Sequence, residues 1–181
     1  GRFGLAASAR ALCCGESGTT LRLLAGILCG QRFDSCLSAS AGLQRRPMSR
    51  ITVPLRMMGA QIRARCAAGG STGQEYAPLR ISGRPLQPIR YTLPVASAQV
   101  KSCLLLAGLY AGGPSSIIEP LPTRDHTERM LAMFGAGISR RRHEIRIDPA
   151  RALKSPKSLY IPGDISSAAF FIVAGLIVPG S

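Results

Sequence analysis

An internal repeat is the sequence feature that most constrains the fold. Three landmarks recur in the same order at offsets of 76 to 79 residues: Gly18–Thr20 with Ser97–Gln99, Arg46–Met48 with Arg124–His126, and Met57–Ile62 with Met133–Ile138. Landmarks that recur in one order at nearly one spacing indicate a duplicated structural unit. Most of the chain is therefore expected to consist of two copies of one supersecondary unit.

Each copy shows the same local signals: a strand, a helix, a second strand, a second helix and two closing strands. In the first copy we predict strands over residues 11–14, 33–37, 61–66 and 79–82, and helices over 19–29 and 47–58. In the second copy we predict strands over 89–93, 115–119, 137–140 and 144–147, and helices over 99–110 and 127–134. Strands that alternate with helices at this spacing predict parallel strand pairs covered by helices. The predicted fold class is α/β, with repeated βαβαββ units.

The end of the chain departs from this repeat. A polar linker spans residues 148–157, and Leu159–Ile161 is predicted to start a new strand, so we expect a second domain from about residue 158. The run Ala168–Val178 predicts a helix that is apolar on every side, and such a helix needs protein around it. Because little sequence follows that helix, we expect the chain to be a piece of a longer polypeptide.

The charge balance favours anionic ligands. Basic residues outnumber acidic ones by 23 to 9, which gives a formal net charge of +14, and only Lys101, Lys154 and Lys157 are lysines. The planar guanidinium group of arginine pairs bidentately with carboxylate or phosphate. An excess of this kind suits small or polymeric anions, and the alternative is that the arginines lie on solvated faces.

The cysteine and histidine content makes a metal site improbable. The six cysteines include no C-x-x-C pair, and His126 and His143 are the only histidines.

The longest apolar run, Ala168–Val178, is shorter than the ~20 residues that cross a bilayer, and the first residues lack the apolar core of a signal peptide. We expect a soluble, cytoplasmic protein with reduced thiols and an aliphatic core, since aromatic residues make up only 5% of the sequence.

Small and polar residues lie at the matching strand-to-helix turns of the two copies. The first turn is Gly15–Arg22 (GESGTTLR), and the second contains Ser97–Gln99 (SAQ). Free backbone N–H groups and the helix dipole favour an anion at such turns, and the alternative for each is a simple helix cap.

An arginine precedes the second helix of each copy. Arg46 and Arg124 occupy matching positions, and two such arginines are expected to point toward one cleft. The alternative is a surface arginine that pairs with Asp125 or Glu128.

Five blocks of the sequence together point to one family. They are Gly18–Gly26, Arg45–Met48, Leu93–Ser102, Arg124–Leu131 and Gly163–Phe170. In order, spacing and residue type these blocks resemble the 5-enolpyruvylshikimate-3-phosphate (EPSP) synthase family, over roughly residues 12–181. Five ordered motifs are far more specific than any one of them.

This resemblance implies an enolpyruvyl transferase fold, an inside-out α/β barrel in which each of two domains contains three βαβαββ units. Residues 1–157 would be the second and third units of one domain, and residues 158–181 would be the first strand and helix of the other, so the fold would be incomplete. The implied reaction transfers the enolpyruvyl group of phosphoenolpyruvate to the 5-hydroxyl of shikimate 3-phosphate, in the shikimate pathway to chorismate and the aromatic amino acids. The family uses no metal or organic cofactor, and the complete protein would be a monomer without membrane or nucleic-acid partners.

The resemblance also assigns residues to the two substrates. Shikimate 3-phosphate would be held by Ser97, Ala98, Gln99 and Arg124, and phosphoenolpyruvate by Gly18, Arg46 and Gln99. Glycine at position 18 would leave room for the small ligand. None of the family's proton-transfer residues lies within these 181 residues.

The sequence departs from the family pattern in two places. Glu16 stands where the family has asparagine, and this carboxylate is expected to weaken the binding of anions unless it turns away or pairs with Arg22. The segment Ala39–Leu43 replaces the usual Gly-Asp-Ala-Ser-Leu.

Two related families are the alternatives. One is the enolpyruvyl transferase that acts on UDP-N-acetylglucosamine, and the Ser97–Gln99 and Arg124–Glu128 blocks favour shikimate 3-phosphate over it. The other is a basic nucleic-acid-binding module related to RNA 3′-phosphate cyclase. The sequence has no set of aromatic residues for base stacking and no concentrated basic stripe, which argues against this second family.

We predict that the 181-residue chain alone does not turn over, because the family's acid and base residues lie outside it. Purified chain mixed with shikimate 3-phosphate and phosphoenolpyruvate should release no inorganic phosphate above the rate without protein. A colorimetric phosphate assay measures this, and clear turnover would show that the essential groups have been wrongly assigned.

Overall fold

The two copies of the repeat form two four-stranded sheets. The computed structural model describes residues 4–66, 73–150 and 152–178. The first unit contains β1 (Leu12–Cys13), α1 (Gly18–Cys29), β2 (Asp34–Ser38), a 3₁₀ turn (Leu43–Arg45), α2 (Ser49–Met57), β3 (Gln61–Cys66) and β4 (Glu75–Ser82). The second unit contains β5 (Arg90–Thr92), α3 (Ala98–Gly108), β6 (Ser115–Ile118), α4 (His126–Met133), β7 (Ile138–Arg141) and β8 (Glu144–Ile147), and α5 (Ile165–Ile177) follows.

The strand order confirms the predicted duplication. The sheets run β1-β2-β4-β3 and β5-β6-β8-β7, so each strand occupies the same place in both. In each sheet the first two strands are parallel and the other two pairs are antiparallel. The βαβ connection therefore supplies the parallel pair, and the closing hairpin completes the sheet.

Helices α1 and α3, one from each unit, pack against each other in the interior. Eight of the eleven residues of α3 are buried, including Lys101 and Ser102 as well as most of the apolar run that begins at Cys103. Gly26 lets the two helices come close, because a Cβ atom there would collide with the backbone carbonyl of Cys103. The core around this contact is aliphatic, as predicted: within the described ranges it is built from Leu, Ile, Met, Val, Ala and Cys side chains.

The six cysteines are all free thiols, but only three of them are buried. Cys14, Cys29 and Cys103 lie in the core, and burial raises the pKa of Cys29 to about 12. Cys13 and Cys66 are exposed, and Cys36 is partly exposed.

Two elements of the first unit differ from the prediction. Helix α2 begins at Ser49 rather than at position 47, because the 3₁₀ turn precedes it and the Met48 N–H bonds to the carbonyl of Glu75. Strand β4 starts at Glu75 although Pro78 lies inside it. The pairing with β3 shifts register between Ala64 and Arg65, and this β-bulge accommodates a residue that has no N–H to donate. Part of the predicted Gly/Ser/Thr-rich loop, residues 67–72, lies outside the described residues.

The last segment forms its helix but not its strand. Residues 159–161 pair with no described strand, and Tyr160 is 87% exposed, so the predicted strand at Leu159–Ile161 is wrong. Local β propensity cannot form a strand without a neighbouring edge to bond to. Helix α5 is capped by Asp164, whose carboxylate accepts from the Ser166 N–H. None of its residues is buried by the described chain, so the protein expected around this apolar helix is not found among the described residues.

We predict that Gly26→Ala destabilises the protein by about 1–3 kcal/mol, because the added methyl group forces α1 and α3 apart. Gly112→Ala is the matched control, since its Cβ would meet only the Leu86 carbonyl oxygen at 3.8 Å. Urea unfolding followed by circular dichroism measures both variants. Equal stability of the two variants would contradict the close helix contact.

Candidate functional site

The N-termini of α1, α2, α3 and α4 come together at one end of the molecule. Ser17 and Ser97 cap α1 and α3, each accepting a hydrogen bond from the backbone N–H three residues later. Side-chain hydrogen bonds link the starts of α1 and α3, of α1 and α2, and of α3 and α4; they are Gln99 to Thr19, Arg22 to the Pro47 carbonyl, and Ser102 to Thr127. Free N–H groups and helix dipoles from four helices therefore act on one region.

Gln99 is the central side chain of this region. Its Nε2 donates to Oγ1 of Thr19 at 2.7 Å, and its Oε1 accepts from Nη1 of Arg22 at 2.5 Å. These two contacts fix the orientation of the carboxamide and leave one Nε2 hydrogen for a ligand. Gln99, a predicted site residue of the second unit, is thus held in place by two residues of the first unit.

The guanidinium group of Arg22, which bonds to Gln99, lies within the electrostatic influence of two further arginines. Burial, and after it the positive charges of Arg46 and Arg50, lower the pKa of Arg22 from its ordinary value. The first turns of α1, α2 and α3 contain no acidic residue, and within residues 4–66, 73–150 and 152–178 neither Arg46 nor Arg50 forms an ion pair. This concentration of unneutralised positive charge is suited to an anion with more than one negative charge. From the sequence, Arg22 was singled out only as a possible partner for Glu16, and no pattern pointed to Arg50.

Gly18 lies in the first turn of α1, where it is buried. A Cβ atom at this position would lie 2.7 Å from Nη1 of Arg22 and 3.4 Å from Cδ1 of Leu43. The absence of a side chain therefore lets the Arg22 guanidinium approach the helix start. A side chain at position 18 would therefore meet this arginine first, whereas the family resemblance had implied that it would meet the ligand.

Within the described residues Glu16 forms no ion pair with any of the three arginines. Its carboxylate lies against Gly42, so close that a Cβ atom there would be 2.7 Å from Oε2 of Glu16. Gly42 belongs to the Ala39–Leu43 segment, the second place where the sequence departs from its family. The two departures are therefore in contact, and Glu16 does not pair with Arg22.

Arg124 and Ala98 lie at the starts of their helices. Arg124 is exposed two residues before α4, and Ala98 is the first residue of α3. The alternative ion pairs for Arg124 are occupied otherwise: Asp125 pairs with Arg129 at 2.9 Å, and Glu128 pairs with Lys101 at 2.6 Å. In the described part of the chain Arg124 makes no hydrogen bond to Ser97 or Gln99, and its connection to this region runs through α4, where Thr127 bonds to Ser102 of α3.

A buried ion cluster anchors the start of α4 to α3. Nζ of Lys101 lies 3.1 Å from Oε2 of Glu119 and 2.6 Å from Oε1 of Glu128. Arg140 reaches Oε1 of Glu119 at 2.8 Å. Lys101 and Glu119 are completely buried. The sequence did not predict this cluster, because its four members come from four separate segments of the chain. The cluster holds α4 beside the α3 N-terminus and so positions Arg124.

The neighbours of Glu119 in this cluster lower its pKa. Burial acts to raise it, but hydrogen bonds from Thr123 and Lys101, with the charges of Lys101 and Arg140, outweigh burial. The pKa of Glu119 therefore lies below its ordinary value, and the carboxylate is ionised at neutral pH.

Metal-ligating side chains do not gather at this site: in the described ranges no group of three or more His, Cys, Asp and Glu residues could hold an ion. No helix in the same ranges has the length and hydropathy to span a membrane.

Comparison with known proteins gives this site its family context. Residues 3–181 match the family EPSP synthase (3-phosphoshikimate 1-carboxyvinyltransferase). The chain belongs to the EPSP synthase family. The resemblance predicted from five sequence blocks is thus confirmed, in preference to the two alternative families.

Individual EPSP synthase relatives show the extent of the match. The chain is 51% identical to the 3-phosphoshikimate 1-carboxyvinyltransferase of Geobacillus kaustophilus and 53% identical to that of Coxiella burnetii, in both cases over all of this chain. It covers 41% and 40% of those proteins, so it spans about two fifths of the length of the curated relatives it matches. The solved EPSP synthase of Acinetobacter baumannii superposes with a TM-score of 0.86 at 49% identity, covering 96% of this chain and 38% of that one. The predicted enolpyruvyl transferase fold, in incomplete form, is thereby confirmed.

We predict that Glu119→Gln lowers the free energy of unfolding at pH 7 by about 3–5 kcal/mol, because Lys101 and Arg140 lose a buried counter-charge. Since the pKa of Glu119 is lowered in the folded state, its stabilisation is complete above about pH 4.5 and is lost as the pH falls through the folded-state pKa. Acid should therefore reduce the stability of the wild type more than that of the variant. Urea unfolding between pH 3 and 7 measures this, with Glu144→Gln at an exposed pair as control. Parallel pH profiles for wild type and Glu119→Gln would contradict the cluster's role.

Proposed function

We propose that this chain supplies the binding site for shikimate 3-phosphate, and part of the site for phosphoenolpyruvate, in EPSP synthesis. The reaction transfers the enolpyruvyl group of phosphoenolpyruvate to the 5-hydroxyl of shikimate 3-phosphate and releases phosphate. The observation that carries the proposal is the convergence of four helix N-termini, three unneutralised arginines and Gln99 on one region. Both substrates carry phosphate and carboxylate, the anions that such a region attracts.

Each proposed ligand residue has a chemical role. The Ser97 hydroxyl accepts from the Val100 N–H, so its own hydrogen is available to a phosphate oxygen of shikimate 3-phosphate. The Ala98 N–H is one of the free amides at the start of α3. Gln99, held by Thr19 and Arg22, donates its remaining hydrogen between the two substrates.

The arginines supply the charge. Arg124 would pair with shikimate 3-phosphate, and Arg46 with the phosphate or carboxylate of phosphoenolpyruvate. Gly18 keeps Arg22 close to the α1 N-terminus, which adds a second guanidinium to the phosphoenolpyruvate side. Charges that are held in place before binding also stabilise the negative charge that develops during addition and loss of phosphate.

We place residues 1–157 in one domain, as its second and third βαβαββ units, and residues 158–181 at the start of the other domain. Residues 157–164 are all exposed, which supports this division because a linker between domains is expected to run through solvent. This chain contributes binding and charge stabilisation, while the acid and base groups belong to other parts of the complete enzyme. We further propose that this enzyme works as a cytoplasmic monomer.

We predict that Arg124→Gln weakens shikimate 3-phosphate binding at least tenfold, because a charge-assisted hydrogen bond contributes about 1.5–3 kcal/mol. Arg46→Gln should have the same effect on phosphoenolpyruvate. Amide chemical shifts in ¹⁵N–¹H spectra of the chain, titrated with each substrate, give the dissociation constants.

Arg129→Gln is the matched control, because it removes the same charge from α4 at an exposed pair with Asp125. It should change the dissociation constant for shikimate 3-phosphate by less than twofold. Binding of either substrate that leaves the first turns of α1 and α3 unshifted would overturn the proposal.

A further inference from the structure

The outer face of the first sheet holds two arginines directly opposite each other. Arg63 on β3 pairs with Arg80 on β4 in the antiparallel register, and both are exposed. Their neighbours Ile62, Leu79 and Ile81 point the other way, into the core. The two guanidinium groups thus lie on the face of the sheet that is turned away from the helices and from the candidate site.

These two charges are not neutralised by the described protein. No carboxylate in residues 4–66, 73–150 and 152–178 lies within 4 Å of either guanidinium, including that of Asp34, which borders the same groove. Like charges directly opposite each other in a sheet are destabilising. An anion that binds between the two side chains would relieve this repulsion and so stabilise the sheet.

The second sheet shows how the same position looks when the protein itself supplies the counter-charge. Arg146 on β8 corresponds to Arg80 on β4. Arg146 is paired with Ser116 of β6 in the same way as Arg80 is paired with Cys36 of β2. Opposite Arg146 is Ser139 rather than a second arginine, and Asp148 pairs with Arg146 at 3.3 Å. The duplicated unit therefore permits neutralisation at this position, and the first copy lacks it.

A groove of about 360 Å³ surrounds the arginine pair, and its border offers further hydrogen-bond donors. Oε1 of Gln61 accepts from Arg84 at 2.7 Å, so its Nε2 hydrogens are left for a ligand. The Ser82 hydroxyl and the Cys36 thiol also border the groove. Two guanidinium groups with an amide and a hydroxyl form a donor set that matches the oxygens of a phosphate group.

We propose that this groove is a second anion site, separate from the candidate substrate site, which binds a small phosphate-bearing molecule between Arg63 and Arg80. The Asp34 carboxylate limits the ligand, because it would repel a second phosphate beside the first and accept a hydroxyl hydrogen instead. The matching class is therefore a phosphate monoester of a hydroxylated compound rather than a polynucleotide backbone.

Titration of the ¹⁵N-labelled chain with glycerol 3-phosphate tests this site, because amide shifts locate binding. We expect the β3 and β4 amides around Arg63 and Arg80 to shift, independently of any shifts at the starts of α1 and α3. Arg63→Gln and Arg80→Gln should each raise the dissociation constant for the β3–β4 shifts at least tenfold. Arg146→Gln, which removes the corresponding charge in the second sheet, should change it by less than twofold.

Stability measurements show whether these variants act through folding. Without ligand, Arg63→Gln should raise the melting temperature by about 1–3 °C, because it relieves the repulsion. Glycerol 3-phosphate should raise the melting temperature of Arg146→Gln more than that of Arg63→Gln. Absence of β3–β4 shifts at 10 mM glycerol 3-phosphate, or equal shifts in Arg63→Gln and wild type, would overturn the site. Tighter binding of a twelve-residue oligouridylate than of glycerol 3-phosphate at the same amides would overturn the assignment to a small ligand.

Discussion

The close contact of α1 with α3 is the constraint on which the candidate site depends. Gly26 has no side chain, so the backbone of α1 reaches the Cys103 carbonyl of α3. At that separation the first turns of the two helices are near enough for Gln99 to bond to Thr19 and Arg22. A larger residue at the crossing would separate the helix starts, and the carboxamide would lose the partners that orient it. Packing in the core therefore determines the geometry of a site at the surface.

Duplication supplied two similar scaffolds, and the side chains then diverged. Both units carry a serine cap and an arginine before the second helix, whereas among the described residues a buried ion cluster, around Lys101, is found in the second unit alone. Burying these charges costs solvation free energy, which the mutual contacts of the cluster offset. Its main effect is specificity of arrangement, because α4 has one position in which Glu128 meets Lys101. The first unit fixes α2 in another way, through Arg56, whose guanidinium pairs with Glu75 of β4 at 2.8 Å.

Much of the fold could be predicted because its signals are local and repeated. The strands and helices follow hydrophobic spacing and caps such as Ser97, and the repeat fixes their order in both sheets. The prediction failed where distant residues decide the outcome. Residues 159–161 have the composition of a strand but no described partner, and Pro78 lies within β4 because a bulge in the β3–β4 pairing leaves it unpaired.

The candidate site divides in the same way. Sequence blocks pointed to Gln99 and Arg46, but the role of Arg22 required the structure, because it depends on a contact between residues 77 positions apart. The turn of Glu16 toward Gly42 was equally inaccessible, since the two residues lie in different loops. Patterns in sequence identify residue types suited to a ligand, and three-dimensional packing decides which of them meet.

The hydrogen bond between Thr19 and Gln99 joins positions 80 residues apart, which has a consequence for biosynthesis. A nascent chain that has emerged from the ribosome only through its first sheet holds Thr19 and Arg22 but not their glutamine. The candidate site therefore cannot assemble before α3 has left the exit tunnel and docked on α1. Until then the guanidinium groups of the first unit face solvent or nearby ribosomal RNA, and the order of synthesis sets when the candidate site is first assembled.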